Sequence, residues 1–137
     1  MKRHATAFWQ GLGEEGRGLV TTQSNVLQQT LFTFNSRFAD EAGTNPEELL
    51  AAAHASCFAM KLGFVLREAG FAVDAMEATS YVNFQMGSIT GAHLVVKAKI
   101  AGISREVFEA SVKEAERWGP VGRVLDASIS VEATLEK

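Results

Sequence analysis

Hydrophobic and polar positions alternate at the start of the chain. From His4 to Gln10, Ala5, Ala7 and Trp9 stand against Thr6, Phe8 and Gln10, the two-residue period of a strand. Gly11, Gly13, Gly16 and Gly18 then supply turn chemistry around Glu14 and Glu15. Leu19 to Gln23 is a short β-branched run. Thr30 to Phe38 alternates again, with Leu31, Thr33 and Asn35 against Phe32, Phe34 and Ser36. The opening third therefore predicts an antiparallel meander.

The period changes at Asn45-Pro46-Glu47-Glu48, a strong helix start. Asn45 is a good N-cap, Pro46 fits the first helical position, and Glu48 stands where a capping-box carboxylate reaches back. The helical pattern runs unbroken to about Ala69, and Gly70 is a natural stop. That is about 24 residues, or roughly 36 Å of helix. Ala72 to Met86 and Ala92 to Ile100 then read as a hairpin about Gly87-Ser88. Ser104 caps a second helix that ends near Trp118-Gly119-Pro120, and Ala127 to Leu135 is a closing strand. Strands grouped around two helices predict an α+β fold, with antiparallel sheets around a long central helix and a second helix, as one domain over residues 1–137.

From Leu49 to Met60 the central helix carries no charge on any face, the titratable His54 aside. A helix apolar all round is buried all round, and one small sheet covers only part of it. A second copy of the chain, packed about a two-fold axis, is the economical cover. Composition adds exclusions. The formal net charge is −3, and no basic patch is interleaved with aromatics, so nucleic-acid binding has no support. No uninterrupted apolar stretch reaches membrane-spanning length, and no signal-peptide core follows Lys2-Arg3-His4. With three scattered histidines and one cysteine, no metal site is expected. The glycine-rich turn lacks a phosphate loop's ending, and no cofactor is implied.

Cys57 is the only cysteine, set within the uncharged run Ala51 to Met60. By default such a residue is an inert small hydrophobe. It forms no disulfide within its chain, so any redox cycle ends on another chain or a small thiol. A lone free thiol also suits a reducing, cytoplasmic compartment. His54 and Lys61 lie one turn before and after Cys57, at spacings that reach its face. The default for His54 is a hydrogen-bonded interface histidine and for Lys61 a snorkelling side chain. Glu47 lies about 15 Å along the helix from Cys57 and cannot serve that thiol on its own helix.

Phe34-Asn35-Ser36-Arg37-Phe38, Gly43-Thr44-Asn45-Pro46-Glu47-Glu48-Leu49 and Ala52-Ala53-His54-Ala55-Ser56-Cys57-Phe58-Ala59-Met60 resemble the osmotically inducible protein C (OsmC) family, sister of the organic hydroperoxide resistance (Ohr) proteins. The resemblance covers nearly the whole chain. It implies an intertwined homodimer with active sites at the interface, reducing organic hydroperoxides better than hydrogen peroxide in oxidative and osmotic stress. It implies a peroxidatic cysteine at Cys57, served by the glutamate at Glu47 and the arginine at Arg37. Arg17 is the alternative arginine, because the Ohr branch places its own nearer the N-terminus. The family's second, resolving cysteine stands just before a Pro-Val pair. Here the segment reads Trp118-Gly119-Pro120-Val121, so Gly119 holds that place. Trp118 beside it either fills the space left at Gly119 or lines the pocket.

The chemistry is coherent. Only a thiolate attacks a peroxide, and a thiol of ordinary pKa is about 3% ionised at pH 7. A guanidinium favours the thiolate and donates to the departing alkoxide, while a carboxylate holds the guanidinium in place. Phe34, Phe38, Phe58 and Met60 are candidates to favour an organic tail. Two readings follow. One is a one-cysteine hydroperoxide reductase using an external thiol, in which Cys57 attacks, Arg37 activates and Glu47 of the partner chain orients Arg37. The other is a catalytically degenerate OsmC-like dimer that binds a small apolar ligand or senses redox state.

Overall fold

The computed structural model describes residues 1–38 and 41–137. The chain divides into two compact units, Met1–Leu49 and Leu50–Lys137.

The first unit is the expected antiparallel meander: β1 (Ala5–Gln10), β2 (Arg17–Thr22) and β3 (Thr30–Thr33), in that order. Gly16 and Gly18 are there because of aromatic rings. A Cβ on Gly16 would collide with the Trp9 ring, and one on Gly18 with Phe32. These two rings lie 5.7 Å apart over the sheet. All six residues of β1 are exposed, so this unit alone leaves much of its sheet uncovered.

The alternation predicted β3 through Phe38, but the strand stops at Thr33. Thr33 and Ser36 tie each other into a turn. The Thr33 amide donates to Ser36 Oγ and the Ser36 amide to Thr33 Oγ1, each at 3.0 Å. The Ser36 hydroxyl also lies 2.7 Å from the Thr33 carbonyl and 2.8 Å from that of Thr44. Side-chain bonds of this kind compete with the sheet ladder. The result is a single turn of helix, α1 (Asn35–Phe38), which carries Arg37.

The long helix α2 (Pro46–Glu68) begins where expected. Asn45 Oδ1 accepts the Glu48 amide at 2.8 Å, the N-cap bond. The capping box is not completed, because Glu48 Oε2 takes the Thr44 hydroxyl at 2.6 Å instead. At the far end Gly70 has φ +91, its amide donates to Arg67 O and that of Phe71 to Leu66 O, a Schellman stop.

The second unit holds most of α2, a hairpin of β4 (Ala75–Gln85) and β5 (Ser88–Lys99), the helix α3 (Arg105–Trp118) and β6 (Ser128–Glu136). Ser104 Oγ accepts the Val107 amide at 3.2 Å and caps α3 as predicted. The sheet order is β4-β5-β6, and β6 runs parallel to β5. The fold class stands, but the all-antiparallel expectation does not. A parallel neighbour needs a crossover, and α3 supplies it.

On α2 the side chains buried are His54, Phe58, Leu62 and Leu66, a single row four residues apart. Phe58, Leu62 and Leu66 pack with Leu94, Val96, Ala98 and Ile100 of the sheet side and Phe108, Val112 and Ala115 of α3. The opposite side is open: Met60 is 65% and Phe64 56% exposed. By length and composition alone α2 suffices to cross a membrane, with mean hydropathy 1.7 over its best window. Lys61 interrupts that run, and the buried row gives the helix a core role.

Candidate functional site

In the second unit, Cys57 is half-buried on α2, one residue before core Phe58. It lines a cavity of about 10 Å³ with His54, Phe58, Leu94, Ala115, Glu116, Gly119 and Gly122. This volume admits one water-sized group. The Val121 amide donates to Cys57 Sγ at 3.5 Å. Val121 is held there because α3 ends against Gly119, whose amide donates to Ala115 O at 2.9 Å. The next turn of chain, where the Arg123 amide donates to Gly119 O at 3.2 Å, then folds back over the thiol. Gly119, where the resemblance implies a second cysteine, is thus a wall of the Cys57 cavity.

His54 is 3% exposed within a single chain, so it is a core residue and not an interface one. Its Nδ1 pairs with Ser80 Oγ of β4 at 3.0 Å. Burial lowers its pKa from the ordinary 6.5, which keeps the ring neutral at pH 7. Gly122 lies on the far side of the ring, where a Cβ would stand 3.6 Å from Nε2, an ordinary contact. Trp118 neither fills the space at Gly119 nor lines the cavity. It is 42% exposed, with the guanidiniums of Arg117 and Arg123 at 5.0 and 5.3 Å from its ring centroid.

In the first unit, Arg37 and Glu47 form an ion pair, Nε to Oε2, at 3.0 Å. Their side chains are 30% and 11% exposed. The pair lies within one chain, whereas the expected chemistry had Glu47 of a second copy orienting Arg37. The turn at Ser36 is the reason. Asn45 Nδ2 donates to Ser36 O at 2.9 Å, which brings α1 against the start of α2. Arg17 stands exposed on β2 and makes no ion pair among the described residues. Of the candidate tail-binding residues, Phe58 belongs to the core, Met60 is on the open side of α2, and Phe34 is 36% exposed. The side chain of Phe38 lies outside the described residues. Among the described residues no cluster of three or more metal-ligating side chains occurs.

Sequence reasoning did not find Val121, Ser80 or Gly122. A backbone amide leaves no mark in a side-chain pattern, and Ser80 is one polar residue in an ordinary strand. Gly122, three residues after Gly119, was the one available signal.

Comparison with known proteins agrees with these features. The family model described as OsmC-like protein matches residues 39–134. Peroxiredoxin OsmC of Escherichia coli is 39% identical over 134 residues, 95% of this chain and 94% of that protein. Organic hydroperoxide resistance protein OhrB of Bacillus subtilis is 28% identical over 87% of this chain and 89% of its own. The crystal structure of that OhrB superimposes with a TM-score of 0.67, covering 97% of this chain and 98% of its own at 27% identity. An OsmC-like protein of Vibrio cholerae shares the fold at a TM-score of 0.75 and 14% identity, covering 98% and 99% of the two chains. With its α+β architecture, its Asn-Pro-Glu helix start and its half-buried Cys57, the chain belongs to the OsmC-like protein family.

Proposed function

We propose that this protein is a thiol peroxidase of the one-cysteine type that prefers organic hydroperoxides. The observation that carries the reading is the shared cavity of Cys57 and Gly119: the thiol sits at a built site, and its neighbour there cannot resolve it. The relatives named a peroxiredoxin and an organic hydroperoxide resistance protein support the substrate class.

In this mechanism the Cys57 thiolate attacks the terminal peroxide oxygen. The S–O bond forms as the O–O bond breaks, and the alkoxide takes a proton and leaves as the alcohol. An external thiol then condenses with the Cys57 sulfenic acid, giving a mixed disulfide and water. A second thiol frees Cys57 and leaves as the disulfide, so two thiols supply the two electrons. Arg37, oriented by Glu47 of its own chain, donates to the peroxide and to the departing oxygen. Because Glu47 starts the helix on which Cys57 is central, this pair serves the Cys57 of a partner subunit. The exposed apolar side of α2, with Met60 and Phe64, supports such a homodimer. Residues 1–137 would act as one domain per subunit, in the reducing cytoplasm that a lone free thiol suits. A cavity of about 10 Å³ counts against an apolar ligand held beside Cys57 within the second unit.

The test is treatment of reduced protein with one equivalent of cumene hydroperoxide, or of hydrogen peroxide, under a sulfenic-acid trap, read by intact mass. Rapid trapping that prefers the organic peroxide and is absent in Cys57→Ser is expected. Labelling no faster than that of a free small thiol would sink the proposal.

A further inference from the structure

Two guanidiniums share one exposed aromatic ring, on the residue next to the cavity-lining Gly119. Arg117 and Arg123 stand 5.0 and 5.3 Å from the Trp118 centroid, and all three side chains are exposed. Neither arginine makes an ion pair among the described residues. Like charges gathered without a counter-ion repel, and an anion seated on them relieves that repulsion. A guanidinium stacked on a ring also keeps its N–H edge free to meet a carboxylate.

The position of the cluster is what gives it meaning. Trp118 immediately precedes Gly119, and the Arg123 amide donates to the Gly119 carbonyl at 3.2 Å. Gly119 lines the same cavity as Cys57. The ring that carries the cationic pair is therefore the residue next to the place where the chain lacks a second thiol. Glu116, which also lines the cavity, is the one carboxylate there. Two guanidiniums against it leave a net positive charge.

We infer that Arg117, Trp118 and Arg123 bind the anionic end of the external reductant, a small thiol bearing a carboxylate. Its sulfur then meets Cys57 beside Gly119, the buried backbone that walls the thiol on the side of the cluster. The cavity holds no more than one water-sized group, so recognition of the reductant falls to the surface outside it. The redox step is the one already balanced. The first thiol loses its proton and displaces water from the Cys57 sulfenic acid, forming the mixed disulfide. A second thiolate attacks that disulfide, and Cys57 leaves as its thiolate. The inference rests on the peroxidase reading for its biological sense, but the docking step itself needs no peroxide.

The test therefore uses none. Cys57 is converted with dithiodipyridine to its mixed disulfide, and thiopyridone release by mercaptopropionate is compared with release by the methyl ester of the same thiol. Each rate is divided by that thiol's rate with free dithiodipyridine. The carboxylate form should be about three- to tenfold faster near 0.01 M salt and lose the advantage near 0.5 M. Changing Arg117→Gln and Arg123→Gln together should bring the ratio to about one, while Glu116→Gln should raise it. Trp118→Phe should keep most of the effect and Trp118→Ala lose it. Far-ultraviolet circular dichroism checks that each variant is folded. A wild-type ratio of one or less, a ratio unmoved by the double change, or a Cys57 closed to dithiodipyridine overturns the inference. Failure of the peroxidase reading shows separately, as absence of sulfenic acid under peroxide with this exchange intact.

Discussion

Restoring a thiol at position 119 is the sharpest test of the arrangement around Cys57. Gly119 has φ −64 and ψ 120, an extended conformation that any residue adopts, so Gly119→Cys meets no backbone strain. A Cβ there stands 3.1 Å from the Ala115 carbonyl, tighter than ordinary contact, so the chain must give by a few tenths of an ångström. That small cost is offset by the restricted unfolded chain, a gain of about 0.4–1 kcal/mol where the native conformation suits the new residue. The reduced variant should therefore be about as stable as the parent. A bridge from position 57 to 119 closes a loop of about 60 residues, for which loop entropy predicts up to about 4 kcal/mol of stabilisation.

The assay is one equivalent of cumene hydroperoxide followed by intact mass and a guanidinium melt, with and without reductant. Wild type should gain one oxygen at Cys57 and, under excess peroxide, a second. Gly119→Cys should instead lose two hydrogens, resist over-oxidation about tenfold or more, and unfold at higher denaturant than its reduced form. Stabilisation below the entropic figure would mean strain against the Ala115 carbonyl, since a distorted bridge delivers less. A variant that forms no internal disulfide and over-oxidises like the parent would refute the placement of Gly119 against the thiol.

Other outcomes follow from the same geometry. Arg37→Gln should slow sulfenic-acid formation by about 10- to 100-fold, and Glu47→Gln by less, as stopped-flow peroxide consumption would show. Neither should change the unfolding free energy from denaturant melts by more than about 1 kcal/mol, because the Arg37 side of the pair is partly exposed. Leu62→Ala, at a fully buried core position, should cost about 2–5 kcal/mol in the same melts. For His54 burial lowers the folded pKa below 6.5, so the unfolded chain takes up the proton first as pH falls. Its contribution is then full above 6.5 and is lost as pH falls through the lowered folded value. Ser80, Cys57 and Glu116 are the groups around it, and His54→Gln should flatten that part of the stability profile measured by denaturant melts.

Helix boundaries were legible in the sequence because their signals are local. Asn45, Pro46, Ser104 and Gly70 act on their own turns, and the structure uses each as its chemistry suggests. The strand that should have carried Arg37 was misread for an equally local reason. Thr33 and Ser36 satisfy the backbone with side-chain oxygens, and alternation along Thr30 to Phe38 does not record that competition. The direction of β6 was beyond reach for another reason. A strand's own pattern is the same in parallel and antiparallel pairing, and only the crossover through α3 decides.

Cys57 shows where pattern and chemistry part. Its place on α2 followed from the helical period, and its importance from a resemblance. Much of what surrounds it comes from chain about sixty residues away: a backbone amide, two glycines and the carboxylate of Glu116. None of these is a conspicuous residue in the sequence. The absent cysteine, by contrast, was visible at once, but its consequence was not. Position 119 is a buried glycine whose Cβ would stand 3.1 Å from the Ala115 carbonyl, so backbone alone closes the cavity on that side. In the proposed cycle a thiol from outside the chain takes the place of one at 119, and the guanidiniums of Arg117 and Arg123 on the Trp118 ring are what would hold it.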